Sequence, residues 1–315
     1  MRMGEDISHK PVLLSEVVDY LQPSEKGKYV DCTLGAGGHA KAILEASSPA
    51  GMLLGIDVDE DAIKIAEETL REYCSRMILV RESYVHLQEL LLSIGWQEVD
   101  GILIDLGVSS MQLDQAEKGF SFQQEGKLDM RFDQRNPLTA EDIVNGFSEK
   151  KLAEIIYIYG EERYSRQIAR AIIKNRPLRT TLQLAEVVKK AIPYRSYSIH
   201  PATRTFQALR IAVNNELDAI EKFLPQALHA LCVGGKLAVI SFHSLEDRIV
   251  KQYFQKESKD CICPPEQPVC TCGHKASIKW VTKHFISPSE QEKRDNPRAR
   301  SAKLRVIEKV AQTLH

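Results

Sequence analysis

The chain has 315 residues, 43% of them hydrophobic and 27% charged, enough apolar content for one large domain or for two that share a core. No uncharged apolar stretch reaches transmembrane length and the first eleven residues carry charge, so neither membrane spanning nor secretion is expected. A formal net charge of -1 excludes nucleic-acid binding through overall charge and leaves it to local basic patches. Cys32, Cys74 and Cys232 are scattered among seven cysteines, unlike the dense framework of a small secreted fold, which points to a reducing cytoplasm.

Val12, Leu13, Val17, Val18 and Leu21 recur at helical spacing, so residues 11–21 are predicted as a helix. Residues 29–32 read as the first strand, followed by Gly35, Gly37 and Gly38 and then by a helix holding Ala40, Ile43 and Leu44. A second strand over 52–56 ends at Asp57, and residues 61–73 return to helical spacing, completing a β-α-β unit. Residues 78–80 and 101–104, the latter ending at Asp105, read as further strands of a parallel sheet.

The next comparable strand is 236–240, after Val233-Gly234-Gly235. About 130 residues lie between these strands, where a crossover takes about 30. The interval holds helical runs at 152–159, 165–174, 182–191 and 204–224. The expected fold class is therefore α/β, a Rossmann-like sheet with an inserted α-helical domain. The sheet domain is discontinuous, residues 1–112 and 206–315, and the insert covers 113–205, with edges near 112–114 and 198–205. Residues 280–285 and 301–307 read as late strands.

Gly35-Ala36-Gly37-Gly38-His39-Ala40 fits G-x-G-x-x-A between a strand and a helix, with Asp57 at the tip of the next strand. Missing side chains let the backbone approach a ligand, the helix start offers unpaired N–H groups, and the carboxylate can accept ribose hydroxyls. The bland alternative is a tight turn with Asp57 as a helix cap. Among adenosine cofactors, S-adenosylmethionine is favoured over a nicotinamide. A helix precedes the glycine-bearing strand, and Asp31 is placed to meet the amino group of the methionine end.

Ligands of open parallel sheets bind beyond the carboxyl ends of the strands, which singles out Asp31, Asp57, Ser83-Tyr84, Asp105 and Phe242-His243. Tyr84 is placed either against an adenine or as packing. Asp105 stands where an amino methyltransferase needs an acceptor, because an aromatic amine has its lone pair delocalised until its hydrogens are drawn upon; the alternative is a turn cap. His243 is a candidate for contacting or positioning a base, or for capping a turn. Ser241, His243 and Asp247 do not suggest a hydrolase triad, since no G-x-S-x-G elbow is present.

Arg166, Arg170 and Lys174 lie four apart on a predicted helix, flanked by Arg163, Arg176 and Arg179, a ridge suited to phosphates or simply a solvated face. Lys293, Arg294, Arg298, Arg300, Lys303 and Arg305 form a second basic group, a candidate tail for the same role. Cys261, Cys263, Cys270 and Cys272 surround a proline-rich turn containing Pro268; they suit either structural zinc or free, redox-labile thiols, C-x-C being less diagnostic than C-x-x-C.

Seven blocks spread over nearly the whole chain resemble the RsmH family, also called MraW. They are His9-Lys10-Pro11-Val12-Leu13-Leu14, Gly35 to His39, Asp105 to Ser110, Leu128-Asp129-Met130-Arg131, His200 to Gln207, Ser241 to Arg248 and Asn296 to Ser301. The resemblance implies a class I S-adenosylmethionine methyltransferase that modifies the exocyclic N4 amine of a decoding-centre cytosine in 16S ribosomal RNA of the small subunit. It also implies cofactor contacts at Gly37, Gly38, His39, Asp57, Tyr84, Asp105 and Gln112, with Tyr84 standing where some members have phenylalanine. Asp105 and His243 are the catalytic candidates, and an RNA-directed family turns the reading of Arg166, Arg170, Lys174 and Arg204 toward substrate binding. Family members that lack the four clustered cysteines imply that catalysis does not depend on them.

Overall fold

A computed structural model describes residues 11–193, 200–267 and 269–311. His9, Lys10 and Pro268, named above, and the start of the expected domain edge at 198–205 lie outside the described residues. The chain divides into two compact units, Met1–Gly107 with Asp218–His315, and Val108–Leu217.

The first unit is built on seven strands: β1 Lys28–Asp31, β2 Met52–Asp57, β3 Met77–Arg81, β4 Val99–Asp105, β5 Leu231–Ser241, β6 Ile278–Trp280 and β7 Lys303–Lys309. They form one sheet in the order β3-β2-β1-β4-β5-β7-β6. β1 to β5 pair in parallel, and β7 runs antiparallel to both β5 and β6. This is an open, doubly wound Rossmann-like sheet with an antiparallel strand toward one edge. Strands covered on both faces read as unbroken apolar runs, which is why Val30, Leu53, Leu54, Ile56, Ile102 and Leu103 are all fully buried. Each such side chain contributes roughly 1.5–3 kcal/mol by leaving water. The leading helix Leu14–Leu21 joins this core through Val17 and Leu21, and the glycine-loop helix Gly38–Ala46 through Ile43 and Leu44.

The second unit is helical, with its own core of Leu152, Ile156, Ile168, Ile172, Leu184, Val188, Phe206 and Leu209. Its helix starts are written in the sequence as side-chain caps. Thr139 with Asp142 opens Ala140–Gly146, Ser148 opens Glu149–Gly160, and Thr180 with Gln183 opens Thr181–Ala191. No described helix in either unit is long and apolar enough to cross a membrane.

The structure departs from the sequence reading at several places. The single helical run expected over 204–224 is two helices, Thr203–Asn214 and Glu216–Ala230, interrupted at Asn215 with φ 50°. Asparagine tolerates this left-handed conformation, and the apolar spacing hides the break. Phe206, Leu209 and Val213 pack in the helical core, Val108 and Leu113 pack against it from its other end, and the compact units divide at Leu217/Asp218 and Gly107/Val108.

The helix expected over 61–73 ends as Glu60–Thr69 and tightens into the 3-10 turn Arg71–Arg76. The strand expected over 280–285 ends at Trp280. There the N–H groups of Val281 and Thr282 both turn to the carbonyl of Val306, at 3.0 and 3.2 Å, and the ladder stops. β5 begins five residues earlier than expected because a register shift opposite Val99 and Gly101 absorbs Val233-Gly234-Gly235.

Candidate active site

The chain leaves β1 toward β2 on one side, while β4 lies on the other, so β1 marks the point where the winding reverses. Asp57, Asp31 and Asp105 end β2, β1 and β4 and therefore stand at neighbouring carboxyl ends of the sheet. Asp57 ties down the glycine turn. Its Oδ2 accepts from the Gly35 N–H at 2.8 Å and its Oδ1 from the Asp59 N–H at 2.9 Å. Gly37 sits at φ 83° as the residue before the helix Gly38–Ala46, a conformation that favours glycine. A Cβ on Gly38 would come within 2.3 Å of Pro11 Cγ, so the glycine also lets the amino-terminal segment close over the turn. His39 is buried and its Nε2 pairs with the Val12 carbonyl at 2.9 Å, which fastens that same segment.

Buried carboxyl groups dominate the site. Asp31 is 1% exposed; its Oδ1 accepts only from the Thr33 N–H at 3.2 Å, and its Oδ2 has no partner among the described residues. Burial pushes its pKa up to about 7; the Thr33 N–H works against the rise and the neighbouring Asp57 adds to it. Asp105 is driven well above the usual carboxylate range, by burial first and then by Asp31 and Glu246. Its Oδ1 is likewise buried without a partner. Burial raises Asp57 as well, against the opposing pull of the Asp59 and Gly35 N–H groups. Two orphaned carboxylate oxygens among mutually repelling acids suit a ligand that brings positive charge and hydrogen-bond donors.

Tyr84 begins a 3-10 turn after β3, set by the Ser83 hydroxyl accepting from the Val85 N–H at 3.4 Å. Phe223 meets its ring edge-on at 5.3 Å, and Gln226 grips the turn by donating to the Val85 carbonyl at 2.7 Å and accepting from the Gln88 N–H at 3.2 Å. The sequence reading missed Phe223 and Gln226, and nothing local marks them. It also missed Thr33, whose hydroxyl accepts from the Asp105 N–H at 2.6 Å and so links the tips of β1 and β4.

His243 caps the helix Ser244–Glu257. Its Nδ1 accepts from the Glu246 N–H at 3.4 Å, while Glu246 Oε2 accepts from the N–H groups of Phe242 and His243 at 2.8 and 3.1 Å. His243 Nε2 lies 3.1 Å from Glu246 Oε1 without the alignment of a hydrogen bond. Asp247 is taken by Arg305 at 2.8 Å and Lys303 at 3.3 Å, and no hydrolase triad assembles here. Gln112 belongs to the helical unit. Its Oε1 accepts from the Ser109 N–H at 3.1 Å, completing a capping box for the helix Ser110–Asp114.

Arg166, Arg170 and Lys174 are exposed on the helix Ser165–Lys174, Arg170 facing Glu149 at 3.6 Å. Arg204 is also exposed and donates to the Glu161 carbonyl at 3.1 Å. Arg176 leaves the expected ridge: it donates to the carbonyls of Val144 and Phe147, both at 2.6 Å, and pins a loop. The expected basic tail is not a tail, because Lys303 and Arg305 lie in β7 with Arg305 buried against Asp247. Cys261, Cys263, Cys270 and Cys272 do converge, all as free thiols.

The sequence model of the MraW methylase family matches residues 6–310. A relative from Dehalococcoides mccartyi named ribosomal RNA small subunit methyltransferase H is 53% identical over 302 residues, covering 96% of this chain and 86% of the relative. Proteins of the same name from Halothermothrix orenii and Brevibacillus brevis are 48% and 49% identical, each covering 96% of this chain and 99% and 98% of their own. With a match along almost its full length, this chain belongs to the MraW methylase family.

Proposed function

We propose that the chain methylates the exocyclic N4 amine of a cytosine in the decoding centre of 16S ribosomal RNA, within the small ribosomal subunit, using S-adenosylmethionine. The observation that carries the reading is the pair of buried, incompletely partnered acids, Asp31 and Asp105, at the reversal point of the sheet. They fit a donor that carries an ammonium and a sulfonium. A dinucleotide would bring a pyrophosphate, adding negative charge beside acids that already repel one another. The relatives' shared name and the seven sequence blocks supply the RNA side.

In this reading the Gly35–Gly38 turn and the start of its helix cradle the donor, and Asp57 accepts from its ribose hydroxyls. Asp31 meets the ammonium and Tyr84 lies against the adenine, and the family resemblance adds Gln112 as a further cofactor contact. When bound, the donor supplies a methyl group already activated by positive sulfur. Once ionised, Asp105 would accept a hydrogen of the cytosine amine and leave more density on its nitrogen, and it would take the proton the amine loses as the methyl passes from sulfur to nitrogen, the S–C bond pair staying with the sulfur. A carboxyl raised by burial is a better proton acceptor, once ionised, than one in water. His243 positions the base, and Arg166, Arg170, Lys174 and Arg204 hold phosphates.

The test is tritium transfer from labelled S-adenosylmethionine to small subunits that lack the modification, followed by nucleoside analysis. Label is expected in N4-methylcytidine alone. Label in another nucleoside, or binding without transfer, would overturn the assignment.

A further inference from the structure

Residues 258–277 join the helix Ser244–Glu257 to β6 without a helix or strand among the described positions. The neck of this loop is closed: the Ser277 N–H donates to the Glu257 carbonyl at 2.9 Å, and the Ala276 N–H to Asp260 Oδ1 at 3.3 Å. Beyond the neck no apolar core holds it among the described residues, and Ile262 and Val269 are 42% and 68% exposed. A twenty-residue connection of this kind costs ordering entropy that hydrophobic burial does not offset.

Four thiols meet inside it. The Sγ atoms of Cys261, Cys263, Cys270 and Cys272 all lie within 4.8 Å of one another. Cys270 and Cys272 are 3.6 Å apart, and Cys272 and Cys261 3.8 Å. A disulfide requires about 2.05 Å, whereas a tetrahedral ion with bonds of about 2.3 Å to sulfur sets neighbouring sulfurs about 3.8 Å apart. A polynuclear iron–sulfur cluster would hold its thiolates farther from one another. Backbone N–H groups already point at sulfur, Ile262 to Cys272 at 3.5 Å and Cys263 to Cys261 at 3.4 Å, the outer contacts that orient thiolate ligands. His274 is not grouped with the four thiols, and its Nε2 pairs with the Lys256 carbonyl at 3.0 Å.

We propose that Cys261, Cys263, Cys270 and Cys272 bind one Zn2+ in a closed four-thiolate site that pins this loop. Four protein sulfurs leave no open coordination position, so the ion is structural and takes no part in methyl transfer. Binding releases thiol protons and converts an otherwise unsupported loop into a rigid knuckle that displays Ile262 and Val269.

Elemental analysis of the full-length protein, purified reduced and without chelator, is expected to give about one zinc per chain. Co2+ added to the reduced, metal-free full chain should give the intense visible bands of a tetrahedral thiolate site, lost on adding Zn2+. Cys261→Ser with Cys272→Ser should reduce zinc to background and speed proteolysis within 258–277, while leaving S-adenosylmethionine binding unchanged. Stoichiometric iron, retention of zinc by the double variant, or no cobalt spectrum from protein whose four thiols titrate as reduced would each overturn the proposal.

Discussion

Asp31 has a cost that is readable as pH dependence. In the unfolded chain it ionises near 3.8, and in the fold near 7. Between those values the native state holds a proton that the unfolded state has released, so rising pH removes stability, and the loss is complete above the folded pKa. Ligand-free Asp31→Asn is therefore expected to gain melting temperature over the parent as pH goes from about 5 to about 8, by the equivalent of a few kcal/mol at most. Parallel curves in a thermal-shift series would show that burial does not raise this acid.

A cationic ligand reverses the balance by favouring the carboxylate. Calorimetry near pH 6 should then show S-adenosylmethionine binding with proton release, visible as a heat that changes with the buffer, and Asp31→Asn should bind at least tenfold more weakly. Asp105→Asn tests the neighbouring acid at its own step. Methyl transfer under saturating donor is expected to fall by about 100-fold or more, the scale of lost acid–base assistance, with donor affinity lowered less than in Asp31→Asn. Near-parental turnover would remove Asp105 from the chemistry.

At the scale of elements, the start of the helix Ser244–Glu257 separates two roles for one side chain. His243 caps it, so His243→Ala should lose about 1 kcal/mol of stability in denaturant melts. Asparagine is a good cap, and His243→Asn should recover that stability. If His243 also positions the cytosine, His243→Asn remains slow in methyl transfer; recovery of both properties would leave only the cap.

The glycine turn was legible for a similar reason, since strand, glycines and following acid are neighbours in sequence and each answers a local steric need. What holds the turn was not. Leu13 adopts φ 55° ahead of the leading helix, with its N–H on Glu292 at 2.8 Å across 279 positions of chain. Gly38→Ala should push Pro11 aside, and with it the segment His39 fastens, weakening cofactor binding more than it lowers the melting temperature. The Tyr84 turn was equally opaque, because Gln226, which grips it, lies 141 positions from Val85.

For the whole molecule, the long interval between β4 and β5 announced a second body, but periodicity alone could not say which body owned the helix Thr203–Asn214; packing decided that. Charge behaves likewise. Sequence counts Arg176, Lys303 and Arg305 with the other basic residues, whereas folding spends the first on carbonyls and the last two on Asp247. Arg166, Arg170 and Lys174 remain exposed, and the facing Glu149 holds Arg170 only by a solvated contact worth little. If it binds RNA as proposed, a chain of net charge -1 must concentrate attraction in such places. Each phosphate neutralised releases counterions, so the affinity should fall steeply with salt. Replacing all three residues by alanine should flatten the log–log slope by about 2, from a per-contact value of about 0.7 on single-stranded RNA. The same triple variant should bind S-adenosylmethionine as the parent does, since none of the three belongs to the strands or turns assigned to the donor. An unchanged slope would mean that this helix face meets solvent rather than phosphate.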